Sequence, residues 1–129
     1  MLDGGPLNRT TGRIVGAAIQ VHSLLGPGLL ESVYETCLAF ELREQGLFVQ
    51  TQVPVPVVYK GISLDAGYRA DMIVGHSIVV DIKTVSKVLP VHKAQVLTYL
   101  RLLDRRIGLL LNFYVPVMSD GIRRVVNRP

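Results

Sequence analysis

Residues 68–85, YRADMIVGHSIVVDIKTV, decide the fold of this chain. The stretch contains two apolar segments separated by a short Gly-containing turn, a pattern typical of two adjacent strands. Strands that are buried on both faces are almost wholly apolar, yet Asp71, Asp81 and Lys83 interrupt these two. Ionised groups inside an apolar sheet are costly unless they are paired or bound to a metal. These three charged residues therefore indicate a candidate functional site.

The length of the turn decides whether the two aspartates meet. Asp81 and Lys83 share one face of their strand because side chains alternate along a strand. With a three-residue turn at residues 75–77, Asp71 lies directly opposite Asp81, with their Cβ atoms about 5 Å apart. With a two-residue turn, Asp71 faces the other side of the sheet. Two opposed carboxylates repel each other and one pKa rises, unless a divalent cation neutralises the charge.

Length and composition indicate one globular domain covering residues 1–129. We expect residues 11–127 to form its core and residues 1–9 to be a loose N-terminal tail. Apolar residues make up 49% of the chain, which argues against disorder. The net charge of +4 is compatible with a polyanionic partner such as nucleic acid, although many ordinary domains are equally basic.

Several features point to a cytoplasmic protein without a membrane segment. Charged residues or glycine break every apolar run, and the first residues lack the basic start and apolar stretch of a signal peptide. The one cysteine, Cys37, excludes an internal disulfide and suits a reducing compartment. We expect it to pack as a small apolar side chain. A mean hydropathy of +0.36 leaves room for a buried interface, so a homodimer is an open alternative to a monomer.

The periodicity of apolar residues predicts an α/β fold. Helical spacing predicts three helices, at about residues 10–25, 29–45 and 91–103. Thr10 or Thr11 is the expected N-cap of the first helix. Leu30 and Phe40 are expected on the buried face of the second. Strand-like segments lie between residues 48 and 64, in the central hairpin, and after residue 105. The order α-α-β-β-β-β-α-β-β predicts a mixed β-sheet flanked by helices.

The predicted helices add further polar candidates. Glu31 lies in the first turn of the second helix, one turn before Tyr34, and is either a partner of the helix dipole or part of a site. His92, Gln95 and Tyr99 follow one another at spacings of three and four, so they share one face of the third helix. The alternative is an ordinary polar helix surface.

Carboxylates beside a lysine favour one kind of chemistry. Asp71, Asp81 and Glu31 with Lys83, in a chain without a cysteine or histidine cluster, suit Mg²⁺ or Mn²⁺ rather than zinc. Such an ion can promote phosphodiester hydrolysis, with Lys83 orienting the attacking water or stabilising the developing oxyanion. Phosphate-binding GxxxxGK[ST] and GxGxxG loops and the GxSxG elbow are absent. A structural ion pair within the sheet is the alternative, although one lysine does not balance two carboxylates.

The order of these residues resembles that of the PD-(D/E)xK nuclease superfamily. Asp71, then Asp81-Ile82-Lys83, then Gln95-Val-Leu-Thr-Tyr99 is similar to its motif followed by the QxxxY signature of its exonuclease-like branch. Gly28-Leu-Leu-Glu31-Ser-Val-Tyr34 is similar to the motif for which the small bacterial GxxExxY family is named. The flanking sequence also resembles that family, in residues 14–22, 53–61 and 110–113, so the resemblance covers about residues 11–127.

The resemblance implies a restriction-endonuclease-like fold and a Mg²⁺-dependent (or Mn²⁺-dependent) nuclease, with DNA as the expected partner. In that interpretation, Glu31, Asp71 and Asp81 bind the metal and Lys83 is the catalytic lysine. Gln95 and Tyr99 are active-site residues, and Tyr34, His92, Gln95 and Tyr99 contact the substrate. Two positions depart from the usual pattern: Ala70 stands where proline is common, and Asp81 where glutamate is more usual. The alternative is a catalytically silent nucleic-acid- or protein-binding module that retains the fold.

Overall fold

The computed structural model, which describes residues 5–128, contains three α-helices and seven strands in those residues. In chain order they are α1 (Pro6–Leu25), α2 (Glu31–Glu44), β1 (Val49–Pro54), β2 (Val57–Tyr59), β3 (Ile62–Leu64), β4 (Arg69–Val74), β5 (Ile78–Lys83), α3 (Pro90–Leu103), β6 (Ile107–Asn112) and β7 (Ile122–Val126). A short 3₁₀ turn, Met118–Gly121, precedes β7. The predicted α/β class, with a mixed sheet flanked by helices, is confirmed.

The main sheet has the order β1-β4-β5-β6-β7, and the hairpin β4–β5 lies near its centre. β5 and β6 are parallel and are connected through α3, while the other neighbours are antiparallel. The strands β2 and β3 form a separate two-stranded hairpin. Five strands therefore precede α3 instead of the predicted four.

Each face of the sheet packs against its own helices. Met72, Val80 and Ile82 point to the face that α1 and α2 cover, where they join one buried cluster. Ile73 and Val79 alternate with them and point to the face that α3 covers, in a second cluster. Apolar side chains on both faces explain why β4 and β5 read as nearly continuous apolar runs. Asp81 has the parity of Val79, which places it towards α3, whereas Asp71 lies beyond the paired residues and accepts the Ile82 N–H.

The helix α1 starts earlier than predicted. It begins at Pro6, so residues 6–9 are helical and do not form a loose tail, while residues 1–4 of that predicted tail lie outside the described part of the chain. Proline is well suited to a first helical position because its missing N–H would have no partner there. Thr11 is inside the helix rather than at its cap, and its Oγ1 donates to the Leu7 carbonyl at 2.8 Å.

Two side chains predicted to be buried in the second helix are exposed. Leu30 precedes α2 as its N-cap in an extended conformation and is 73% exposed. Phe40 is 59% exposed, because the face of α2 that meets the sheet is formed by Leu38, Ala39 and Leu42. Among residues 5–128, no helix combines the length and the apolar character needed to cross a bilayer.

Candidate active site

The turn between β4 and β5 brings the two aspartates close together. It has three residues, 75–77, and the paired residues run outward to Met72 opposite Val80. The three-residue turn is thus confirmed. Asp71 and Asp81 each lie one residue beyond that last pair, and their carboxylates are close enough for the charge of Asp71 to act on Asp81.

Asp81 is the most unusual side chain of the sheet. It is 7% exposed, and its Oδ2 is the one buried side-chain nitrogen or oxygen in residues 5–128 with no hydrogen-bond partner. Lys83 Nζ lies 3.1 Å from that Oδ2, but it hydrogen-bonds to Oδ1, at 3.5 Å. One ammonium group thus serves both oxygens of the buried Asp81 while Asp71 lies nearby, which is costly unless another ligand shares the negative charge.

Burial and charge shift the pKa values of this pair. Burial, followed by the repulsion of Asp71, raises the pKa of Asp81 to about 6, although the Lys83 ammonium opposes the shift. For Lys83, burial alone would lower the pKa, but the attraction of Asp81, Glu31 and Asp71 outweighs it, and the pKa lies above its usual value. Lys83 is therefore a cation at neutral pH, and Asp81 binds a proton more readily than an ordinary aspartate does.

Asp71 and Glu31 hold the backbone on either side of Lys83. The Oδ2 of Asp71 accepts the Ile82 N–H at 2.8 Å, and the Oε2 of Glu31 accepts the Thr84 N–H at 3.2 Å. Glu31 belongs to α2 and Asp71 to β4, so two separate elements position the end of β5. Glu31 is thus more than a partner of its own helix dipole.

A polar hollow of about 470 Å³ opens between α2 and the sheet. Its lining residues are Glu31, Ser32, Glu35, Gln52, Asp71 and Ile82. Burial chiefly raises the pKa of Glu35, and the Asp71 and Glu31 carboxylates add to the shift, whereas a 2.7 Å hydrogen bond from Gln52 lowers it. Glu35 was not predicted as a site residue, although its spacing of four from Glu31 places both on one face of α2.

The carboxylates fit a divalent ion as a pair rather than as a trio. Among residues 5–128, no three His, Cys, Asp or Glu side chains are grouped so that they could hold a metal ion. The three predicted ligands do not form one such group, and both Glu31 and Asp71 already accept a backbone N–H. Mg²⁺ commonly takes only one or two protein carboxylates and completes its shell with water and phosphate. Asp81, with Asp71 close by, supplies that number of carboxylates.

The residues on α3 lie next to this pair. Tyr99 is 8% exposed, and burial and the negative charge of Asp81 raise its pKa, which shows that its hydroxyl is within electrostatic reach of Asp81. Gln95 is half-buried one turn earlier, and its amide makes no hydrogen bond within the described residues. The His92 Nδ1 accepts the Leu89 N–H at 2.9 Å, so this ring closes the first turn of α3.

Tyr34 does not fit its predicted contact with substrate, because its side chain is completely buried. Its hydroxyl donates to the Gly26 carbonyl at 2.5 Å and accepts the Leu29 N–H at 3.2 Å. Its ring stacks on Phe113 with the centroids 4.3 Å apart. Tyr34 therefore holds the loop between α1 and α2, and through it the position of Glu31.

Asn112 is a positioning residue that the sequence analysis did not identify. It is 3% exposed at the end of β6, paired with Lys83 across the parallel strands. Its Oδ1 accepts the Val85 and Tyr114 N–H groups, and its Nδ2 donates to the Val85 carbonyl at 2.8 Å. Asn112 thus attaches the segment after Lys83 to the neighbouring strand. No short motif signals this role, since it depends on the pairing of distant strands.

The comparisons with known proteins agree with this geometry. A family model described as the PD-(D/E)XK nuclease superfamily matches residues 8–125, which leaves out only the first seven and the last four residues. No curated protein and no solved structure gave a significant match. The matched region contains the aspartate pair, Lys83 and the α3 residues in the expected order. The chain therefore belongs to the PD-(D/E)XK nuclease superfamily.

Proposed function

We propose that the chain is a nuclease that uses Mg²⁺ or Mn²⁺ to hydrolyse phosphodiester bonds of DNA, and that it belongs to the GxxExxY branch of its superfamily. One observation carries the proposal: the buried carboxylate of Asp81 and its neighbour Asp71 share a single ammonium group, Lys83, whose Nζ lies 3.1 Å from the Asp81 Oδ2. Without a further ligand this arrangement is unfavourable, because two carboxylates face a single ammonium group.

Asp71 and Asp81 are the residues that would hold the ion. When bound, it supplies a more acidic water molecule and neutralises negative charge on the phosphate. Glu31 lies on the other side of the Lys83 backbone, where its carboxylate fixes the Thr84 amide and adds negative charge to the hollow.

Lys83 acts as a cation in this proposal. Because its pKa is raised, the ammonium group keeps its proton at neutral pH and cannot take one from water. It is suited to donating hydrogen bonds to the non-bridging phosphate oxygens as their negative charge increases. In this proposal, three side chains of α3 contact the substrate: Gln95, Tyr99 and His92, the last through its Nε2.

A cleavage assay with matched lysine variants tests the proposal. The wild-type protein should cut DNA in the presence of Mg²⁺ or Mn²⁺ but not of a chelator, and Lys83→Ala should reduce the rate by at least about a hundredfold. Lys87→Ala is the control, because Lys87 is exposed and makes no contact with the aspartates. Cleavage that survives both Lys83→Ala and Asp81→Ala would show that a contaminating enzyme is responsible.

A second candidate is a binding module that has kept the fold without the catalysis. It is favoured by the lack of a three-residue metal cluster in residues 5–128. A titration with Mn²⁺ separates the two candidates, since ions that bind only the folded state raise the melting temperature. No thermal shift at millimolar Mn²⁺, together with intact DNA, would favour the module. The predicted homodimer stays a prediction that sedimentation can test.

A further inference from the structure

A second hollow opens beside α3, against Tyr99. Its volume is about 320 Å³, within the lower range of small-molecule sites. It is lined by Val57, Tyr68, Gln95, Thr98, Tyr99 and Leu102. The acidic hollow near Glu31 is lined by none of these residues.

The walls of this hollow have the surface that a flat heterocycle requires. The Tyr68 and Tyr99 rings lie 6.3 Å apart and are inclined at 59°, and Val57 and Leu102 provide aliphatic surface. Tyr68 is 47% exposed, so part of its side chain remains accessible to a ligand. Aromatic side chains of this kind stack on nucleic-acid bases with little dependence on sequence.

Gln95 supplies the hollow with polar atoms. Its side-chain amide makes no hydrogen bond within the described residues, so both its donor and its acceptor are available. An amide can bond to the edge of a base that carries one donor and one acceptor side by side. In a duplex the Watson–Crick edge is taken by the complement and the ring faces by stacking, so a base that offers both to the hollow must be unpaired.

The hollow also lies at the right place relative to the proposed chemistry. Tyr99 packs in one buried cluster with Ala70 of β4 and Val79 of β5, the strands that carry Asp71 and Asp81, so a ligand against its ring lies on the part of the sheet that holds that group. A base in the hollow would therefore bring a neighbouring phosphate of the same strand towards Lys83. A stacked and paired base would first have to leave the duplex, at a cost of a few kcal/mol.

We propose that this hollow binds one unpaired base, and that the protein acts on single-stranded DNA or on unpaired ends rather than on intact duplex. The inference rests on the proposed nuclease function and specifies its substrate. In this proposal, Tyr68 and Gln95 are binding residues, and both contact the base.

Binding measurements with Lys83→Ala test this without cleavage. The probes are a fluorescent single-stranded oligonucleotide, the same strand in a blunt duplex, and single strands that each carry one abasic position. By fluorescence anisotropy, the single strand should bind at least about tenfold more tightly than the duplex, and an abasic position at one site should weaken it about tenfold. Adding Tyr68→Ala should weaken binding similarly and cancel the effect of the abasic position, whereas Tyr68→Phe should preserve both.

Tyr59→Ala is the matched control, because Tyr59 is 62% exposed on the adjacent hairpin but does not line the hollow. Equal binding of single strand and duplex, or an abasic effect that persists in Tyr68→Ala, would overturn the assignment. These outcomes are distinct from a failure of the nuclease proposal. That failure would appear as intact DNA in every wild-type reaction, whereas the hollow can be wrong in a protein that cuts duplex efficiently.

Discussion

The affinity for Mn²⁺ should fall about tenfold between pH 7.5 and pH 5, because a proton competes with the ion for Asp81. In the metal-free protein, burial and the neighbouring Asp71 raise the pKa of Asp81 to about 6. The carboxyl group must lose its proton before it can bind a divalent ion. Protonation therefore opposes metal binding in a pH range where ordinary aspartates are fully ionised.

The size of the effect follows from the ionised fraction. With a pKa of about 6, roughly one Asp81 in eleven is ionised at pH 5 and nearly all are ionised at pH 7.5. The metal-linked stabilisation at saturating Mn²⁺ should then be smaller at pH 5 by about 1.4 kcal/mol. A carboxyl group at its ordinary pKa would lose only about a tenth of its affinity over the same range.

The metal-free protein should show the opposite dependence on pH. Because the folded-state pKa of Asp81 lies above the unfolded value of 3.8, its contribution to the unfolding free energy is complete below pH 3.8 and is lost as the pH rises through about 6. A shift of about two pKa units corresponds to at most about 3 kcal/mol. Asp81→Asn should remove this dependence, because the amide does not titrate.

Thermal unfolding between pH 5 and pH 7.5, with and without Mn²⁺, measures both effects. Asp81→Asn should also abolish the Mn²⁺-dependent shift, while Asp120→Asn, an exposed change outside the site, should leave it unchanged. A Mn²⁺ shift that is the same at pH 5 and pH 7.5, or that persists in Asp81→Asn, would refute the assignment of Asp81 as a metal ligand.

Three further substitutions test how the site is held in place, each by chemical denaturation. Asn112→Ala should lower the unfolding free energy by about 2–4 kcal/mol, because buried backbone groups lose their partners; a loss below about 0.5 kcal/mol would contradict that role. Gly121→Ala should cost about 3 kcal/mol or more, since a Cβ there would overlap with the Asn112 carbonyl; wild-type stability would show that the turn can shift. Tyr34→Phe should cost about 1–2 kcal/mol through the lost hydroxyl bonds while the stack on Phe113 remains; a neutral effect would mean that water replaces the hydroxyl.

The central hairpin could be predicted because its register depends on local features. Alternating side chains and a three-residue turn were sufficient to predict the pairing from Val74–Ile78 to Met72–Val80, which brings Asp71 and Asp81 close together. The α/β class followed from the change of apolar period along the chain. Both inferences use only residues that are close in sequence, where geometry leaves few alternatives.

Contacts between distant elements could not be predicted in this way. Asn112 meets Val85 only because β6 pairs with β5 in one particular register, and Glu31 meets the Thr84 amide only because α2 packs where it does. Tyr34 was expected to contact substrate, but its hydroxyl found backbone partners in the adjacent loop, a bond that no pattern of spacing reveals. These side chains acquire their roles from tertiary packing.

The backbone amides on either side of Lys83 report on the state of the carboxylates that hold them. The Ile82 N–H donates to Asp71 and the Thr84 N–H donates to Glu31. Each amide proton is therefore bonded to a side-chain carboxylate and not to a backbone carbonyl of a neighbouring strand. Any cation that reorients Asp71 would weaken the first of these bonds. Deuterium uptake at the Ile82 amide would then rise while uptake at core positions of β5 stayed constant. This difference would report occupancy of the metal site in the absence of DNA.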